Sequence, residues 1–184
     1  RGLTSGGNLD LVSGCDLGDP TTQKAINHYL DTCYVMVVIL QPNCRSVGSF
    51  AAYNEMMYHD TWSRHHKEDL PHLQYCGEVA LKHMQKGGFF LREQPAGTRL
   101  DYINPWPKVL AHGSVITQLM DQCMTGKKDD AGMPVQKPTE WTANSPHLLL
   151  PMQRLTCDKS HTHGHPTGKA LEKTKVYTWS LCNT

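Results

Sequence analysis

The chain has 184 residues, enough for one ordinary domain with its own hydrophobic core. Hydrophobic residues make up 39% and charged residues 19%, a balance that indicates a folded protein and excludes a wholly disordered one. The formal net charge of +1 gives no general attraction for a polyanion, so a nucleic acid would have to meet a local basic patch. No apolar run approaches the roughly 20 residues that span a bilayer, so we expect no membrane partner.

The first part of the chain predicts alternating strands and a helix. Residues 9–12 predict a short strand, and an Asp-Pro pair then predicts a capped helix from about Thr21 to Thr32. The β-branched and aliphatic run from Val35 to Leu40 predicts a strand that is buried on both faces. Residues 45–68 are polar and show no core stripe, so they predict a long loop that is mobile without DNA.

A second helix signal begins at Asp69, and the Gly-Gly pair at 87–88 ends it. Phe89 to Leu91 then predicts another short strand, and residues 109–120 predict either a helix or a pair of strands. Beyond Lys127 the chain is rich in Pro, Thr and His. In that part only residues 141–142 and 176–181 are typical of strands.

This order of elements is typical of an α/β domain. We therefore expect residues 1–184 to form a single Rossmann-like domain with a mainly parallel sheet, helices on both faces and an irregular His/Pro-rich C-terminal segment. Ligands of such sheets bind at the carboxyl ends of the strands. Cys44 and Glu93 each follow an apolar strand closely, so we expect their side chains to face one cleft at that edge.

Four short motifs occur in a fixed order. They are Gln-Pro-Asn-Cys at 41–44, Arg-Glu-Gln-Pro at 92–95, Lys-Pro-Thr-Glu at 137–140 followed by Thr-Ala-Asn, and a closing Tyr-x-x-x-Leu-Cys at 177–182. In this order they resemble the motifs of cytosine-5 DNA methyltransferases, in the phage-type variant and in the variant embedded in retroelement polyproteins. The resemblance covers roughly residues 9–182.

The resemblance implies a chemistry for each motif. Cys44 would be the nucleophile that adds to a ring carbon of a flipped cytosine, and Glu93 would hold the base and stabilise the proton it gains. S-adenosylmethionine would be the methyl donor. The polar segment would close over the DNA and contact its phosphates. Its candidate DNA-binding residues are Arg45, Ser46, Arg64, His65, His66 and Lys67.

Three departures from the family pattern leave a second function open. No Phe-x-Gly-x-Gly donor-binding turn occurs, so the cofactor-binding residues are unknown; the donor strand either precedes Arg1, in an excised or N-terminally incomplete domain, or is lost. Glu140 stands in place of an arginine and is expected to place a second carboxylate near Glu93. Asn43 and Gln94 also replace residues typical of the family. The alternative is an inactive methylase-like module that binds nucleic acid or another domain of a retroelement-type polyprotein, and we expect the isolated chain not to methylate DNA.

A Cys/His-rich loop near the C terminus predicts a metal site. Cys157, His161, His163 and His165 lie within nine residues, and thiolate and imidazole are the ligands that zinc prefers. Cys182 or Cys123 could complete a tetrahedron, although the spacing matches no standard zinc finger and is also compatible with an exposed polar loop. A purely structural zinc domain is therefore a third interpretation. The scattered cysteines favour an intracellular location, and a DNA substrate would add the nucleus.

Overall fold

The computed structural model describes residues 4–165 and 177–178. Within them the chain is a mixed α/β domain built on a four-stranded sheet in the order β1-β2-β4-β3. The pair β1–β2 is parallel and the pairs β2–β4 and β3–β4 are antiparallel, so the sheet is mixed and not mainly parallel. The strands are β1 (Val37–Leu40), β2 (Phe89–Pro95), β3 (Ile116–Asp121) and β4 (Pro138–Ala143).

Four α-helices and three 3-10 segments complete the described part of the chain. The α-helices are α1 (Pro20–Thr32), α2 (Ala51–Met57), α3 (His59–Gln85) and α4 (Trp106–Leu110). The 3-10 segments are Arg99–Tyr102, Gln122–Thr125 and Pro146–Met152. No described helix is long and apolar enough to cross a membrane.

The N-terminal predictions are confirmed for α1 but not for the strand at 9–12. The Asp19 carboxylate caps α1 by accepting a hydrogen bond from the Thr22 amide at 2.8 Å. Residues 9–12 belong to a turn instead of a strand, because the Asp10 carboxylate accepts a hydrogen bond from the Ser13 amide and closes the backbone there. The predicted strand at 176–181 lies outside the described residues except for 177–178, which are not in a strand.

The prediction of a loop over residues 45–68 is wrong. The helix α2 lies within it, and α3 begins at His59, ten residues before the predicted start, and extends over 27 residues. The sequence was misleading because the first turns of α3 bury little apolar surface, and because Pro71 inside the helix is usually a sign of a helix start. Tyr53 and Met56 of α2 are exposed, and Trp62 of α3 is half-buried.

The two faces of the sheet are covered differently. Phe90 of β2 faces a core that α3 supplies with Leu73 and Ala80, and α1 packs on the same side against Val38. Its neighbour Leu91 points to the opposite face, because side chains alternate along a strand. That face is covered by the 3-10 segment Pro146–Met152, so the described α-helices that contact the sheet lie on one face only.

The strand β1 forms one edge of the sheet. Val38 and Leu40 pack inward against the helices, whereas Ile39 is 65% exposed. The expectation of a strand buried on both faces is therefore wrong, although the strand itself is confirmed. The predicted end of α3 is also confirmed, because Gly87 adopts a left-handed φ of 80°, which glycine accepts without strain.

Candidate functional site

The structure places Cys44 and Glu93 at the same edge of the sheet. The last residue of β1, Leu40, is in register with Arg92 of the parallel strand β2. Glu93 is the next residue of β2, and Cys44 follows β1 in the turn that leads to α2. Both residues lie near the carboxyl ends of the parallel pair, where α/β sheets bind their ligands, although Glu93 is inside β2 and not beyond it as expected. That the two side chains face one cleft stays a prediction.

The turn that carries Cys44 is tied to β2 by buried hydrogen bonds. The side-chain amide of Gln94 donates to the Pro42 carbonyl at 2.6 Å. The Thr98 hydroxyl contacts both the Gln94 side-chain oxygen at 3.1 Å and the Val47 carbonyl at 3.2 Å. Gln94 therefore fixes the turn in which Cys44 is exposed.

Glu93 is buried, and this burial raises the pKa of its carboxyl group. A hydrogen bond from Tyr177 and the charges of Lys137 and Arg92 oppose that shift. The protonated carboxyl is therefore favoured compared with a glutamate in water. A protonated carboxyl group can donate a hydrogen bond to a ring nitrogen, whereas a carboxylate cannot.

The expected repulsion between Glu140 and Glu93 is wrong. Glu140 is the cross-strand partner of Gln94, and Trp141 is the partner of Glu93. Since directly paired residues point to the same face of a sheet, Glu140 points away from the face of Glu93. Its carboxylate accepts a hydrogen bond from the Gly97 amide at 3.2 Å.

The six predicted DNA-binding residues occupy different environments. The Arg45 guanidinium forms ion pairs with Asp69 at 2.7 Å and Glu68 at 3.0 Å, which neutralise much of its charge. Ser46 is only 1% exposed and would have to become accessible before it could contact DNA. Arg64 and Lys67 are exposed on α3, whereas His65 and His66 are half-buried.

A cavity of about 270 Å³ lies beside the Cys44 turn, between that turn and the helices α2 and α3. Two of its lining residues, Arg45 and His65, are among the predicted DNA-binding residues, and the others were not predicted. The spacing of Thr61, Trp62 and His65 by three or four residues is typical of one face of α3, a signal that is present in the sequence. The lining residues are Arg45, Asn54, Tyr58, Thr61, Trp62 and His65.

A second site is formed by Cys123, Cys157, His161 and His163, whose ligand atoms all lie within 4.8 Å of one another. We call these four residues the Cys/His cluster. The Cys157 Sγ is 3.7 Å from the His161 Nε2 and 3.4 Å from the His163 Nε2. In a tetrahedral zinc site, bonds of about 2.3 Å to sulfur and 2.0 Å to nitrogen place the two ligand atoms about 3.5 Å apart. The cluster could therefore hold a metal ion.

The end of β3 positions the two cysteines. Asp121 is the last residue of β3, and Cys123 lies just beyond it in the 3-10 segment Gln122–Thr125. The Asp121 backbone amide donates to the Leu155 carbonyl, and its carboxylate accepts from the Cys157 amide, each at 2.8 Å. These two hydrogen bonds to Asp121 thus hold the loop that contains Leu155 and Cys157 against the sheet.

One backbone amide contacts a sulfur of the cluster. The Lys159 amide donates to the Cys157 Sγ at 3.3 Å, a contact of the kind that orients and stabilises metal-bound sulfur. Burial, followed by the neighbouring Cys157, raises the pKa of the Cys123 thiol to about 12. A metal cation would have to displace that proton, because the thiolate is the ligand.

The predicted ligands agree only in part with the cluster. Cys157, His161 and His163 belong to it, and Cys123, one of two candidates for the fourth position, completes it. His165 is exposed and is not a member. The other candidate, Cys182, lies outside the described residues.

The described residues do not fit S-adenosylmethionine. A donor site requires a glycine-rich turn that lets the backbone approach the cofactor. The connection from β1 to α2 contains one glycine, Gly48, and a Cβ there would meet the Cys44 carbonyl oxygen at 2.8 Å. The absence of a side chain at Gly48 therefore allows the tight turn around Cys44.

Comparisons with protein-family models, with curated proteins and with solved structures find no match to this chain.

Proposed function

We propose that the chain is a cytosine-5 DNA methyltransferase-like domain that captures a flipped cytosine between Cys44 and Glu93. The observation that supports this most is the position of an exposed thiol and a carboxyl group of raised pKa at one edge of a parallel strand pair. The motif order in the sequence supports the same chemistry. The proposal has three further parts that rest on that resemblance. They are a Rossmann-like ancestry, a nuclear location and partner domains within a retroelement-type polyprotein.

In the proposed reaction the Cys44 thiolate forms a bond to ring carbon 6 of the cytosine. As this bond forms, the electron pair of the ring's 5,6 double bond moves into the conjugated ring, and ring nitrogen 3 takes the proton of the Glu93 carboxyl, which becomes a carboxylate. The proton transfer neutralises the charge that the thiolate brings into the ring. Without a methyl donor the steps reverse and return the base unchanged. Because the described residues offer no donor site, we expect capture of the base without methylation by this chain alone.

The experiment uses a DNA duplex in which one cytosine is replaced by 5-azacytosine. The ring nitrogen at position 5 makes carbon 6 more electrophilic and stabilises the adduct, so that a covalent complex survives a denaturing gel. We expect a complex with the wild-type chain and none with Cys44→Ser. Cys33→Ser is the matched control, because Cys33 is also exposed but lies at the end of α1.

The same experiment separates the two functions. A non-covalent nucleic-acid or partner-binding module would bind the duplex with equal affinity before and after Cys44→Ser and would form no complex that survives denaturation. Adduct formation on several cysteines alike would also contradict the proposal. A parallel incubation with S-adenosylmethionine and unmodified DNA is expected to transfer no methyl group.

We further infer that the Cys/His cluster binds zinc and that this zinc is structural. Four protein ligands, two sulfurs and two nitrogens, fill a tetrahedral site and leave no position for a substrate. The loop from residue 153 to 165 carries one large apolar residue, Leu155, so a metal would supply order that apolar burial cannot.

Metal analysis of the purified chain tests this inference. We expect one zinc per chain in the wild type and in His165→Ala, and much less than one in Cys123→Ser and His163→Ala. Cobalt substitution adds a spectroscopic test, since two thiolates and two imidazoles around a tetrahedral cobalt give strong visible absorption. Equal zinc contents in the cluster variants and in His165→Ala would contradict the assignment.

A further inference from the structure

We propose that the cavity of about 270 Å³ between α2, α3 and the Cys44 turn binds one nucleotide of the same strand, next to the captured cytosine. The proposal rests on the proposed function and extends it, because it gives the domain a second contact with the DNA strand. We call this cavity the nucleotide pocket. Its lining residues are Arg45, Asn54, Tyr58, Thr61, Trp62 and His65.

The position of the pocket relates it to Cys44. Arg45 lines the pocket and directly follows the proposed nucleophile. A strand whose cytosine reaches Cys44 would therefore bring an adjacent nucleotide to the pocket. Sites for drug-sized ligands enclose about 300–1,000 Å³, so a cavity just below that range suits a single nucleotide better than a longer unit.

The aromatic part of the pocket is held in place before any ligand arrives. The Trp62 indole N–H donates to the Ser46 carbonyl at 3.0 Å, and the indole ring stacks on His66 at 5.0 Å with an angle of 11° between the planes. Tyr58 contributes a second ring to the lining. Unpaired bases stack on fixed aromatic side chains of this kind irrespective of their sequence.

The polar part of the pocket suits the edge of a base. The Asn54 amide offers both a donor and an acceptor, and the Thr61 hydroxyl can act as either. An amide with this double character can pair with the edge of a nucleobase, where donors and acceptors alternate. A purely apolar ligand would leave these groups without partners and is therefore a poor fit.

Arg45 can still donate a hydrogen bond to the strand, although its ion pairs neutralise much of its charge. The ion pairs to Asp69 and Glu68 use its Nε and Nη2 atoms, and its Nη1 takes part in neither of them. No carboxylate is among the lining residues. Arg64 and Lys67 are exposed on the same stretch of α3 as His65, which adds positive charge outside the pocket.

The test measures the affinity of the full chain for a fluorescein-labelled single-stranded DNA decamer that contains 2-aminopurine. We expect Tyr58→Leu and Asn54→Leu to raise the dissociation constant about fivefold or more, since stacking and base-edge contacts are lost. Tyr102→Leu is the matched control, because Tyr102 is 83% exposed and does not line the pocket. Binding should quench the 2-aminopurine fluorescence in the wild type and much less in Tyr58→Leu.

Equal dissociation constants for the wild type, Tyr58→Leu and Asn54→Leu would overturn the proposal, as would a wild-type chain that does not bind the decamer. Circular dichroism must show that each variant is folded, and Thr61→Val provides a third variant if one of them is not. The outcome is independent of the covalent test. If the pocket variants bind the decamer more weakly while the wild type forms no azacytosine adduct, base capture by Cys44 is contradicted and the nucleotide pocket is supported. If the adduct forms but these variants bind the decamer as the wild type does, only the nucleotide pocket is contradicted.

Discussion

The two faces of the sheet differ in how their covering segments are ordered. On the face of Phe90, which we call the helical face, α1 and α3 cover a continuous core whose residues Leu73 and Ala80 are fully buried. On the face of Leu91, a 3-10 segment leads into the polar loop of the Cys/His cluster. We call that segment and loop, residues 146–165, the cluster region. Apolar burial orders the helical face, and the proposed zinc site implies that metal coordination orders much of the cluster region.

The largest effect is expected from removal of the metal. Cys157→Ser should lower the free energy of unfolding by roughly 4 kcal/mol or more, because loss of a structural metal is among the most destabilising single changes. A chelator added to the wild type should have a similar effect. Chemical denaturation followed by circular dichroism measures both.

His165→Ala is the control, and we expect it to change stability by less than about 0.5 kcal/mol, as is usual for an exposed residue without partners in the cluster. If Cys157→Ser were as mild as His165→Ala, coordination would not be what orders the cluster region.

Leu73→Ala probes the helical face. Leu73 is fully buried in the α3 core, and truncating such a leucine costs about 2–5 kcal/mol through lost burial and a residual cavity. This loss should be the same with zinc and with a chelator, since the site is remote from the cluster. A destabilisation that depends on metal would mean that the two regions are coupled.

Gly164→Ala should affect the cluster region alone. A Cβ at this position would overlap the Asp129 Oδ2, and that carboxylate is held by hydrogen bonds from the Ala131 and Met133 amides. We expect the destabilisation to be about 1–3 kcal/mol, with zinc affinity lowered as the loop shifts. Competition with a coloured chelator measures the affinity. An unchanged affinity would show that the loop adapts without moving the ligands.

Glu93→Gln is expected to change the free energy of unfolding least, and the size of this change should depend on pH. Burial raises the pKa of Glu93 above its ordinary value of 4.5, so the folded protein binds more protons than the unfolded chain between the two values. Its contribution to stability is therefore lost as pH rises through that range. We expect Glu93→Gln to be more stable than the wild type at neutral pH and to lose this advantage as the pH falls to 4.5. A stability difference that is independent of pH would contradict the raised pKa.

The sequence was informative where side chains follow a regular apolar period. The helix α1, the strand β1 and the end of α3 at Gly87 could be predicted, because capping, β-branched runs and a left-handed glycine act locally. The first turns of α3 could not, since they are helical without burying an apolar stripe. The direction of the strand pairs could not be predicted either, because register is decided by contacts between distant segments.

The candidate sites show the same limit. Three of the four cluster residues lie in one short loop and were predicted from their spacing. The fourth, Cys123, depends on how Asp121 joins β3 to that loop, which is a tertiary contact. The orientation of Glu140 likewise follows from its pairing with Gln94, which the motif alone did not predict.

The claim that Cys44 and Glu93 act on the same base is tested most directly by the rate of adduct formation. We would measure the rate on the 5-azacytosine duplex at pH 7 for the wild type and for Glu93→Gln, together with the dissociation constant of each for the same DNA. We expect a rate about 100-fold lower in Glu93→Gln with little change in the dissociation constant, because an amide cannot supply the proton and proton donation by a positioned acid is worth about that much. Equal rates in the two proteins would contradict a shared site.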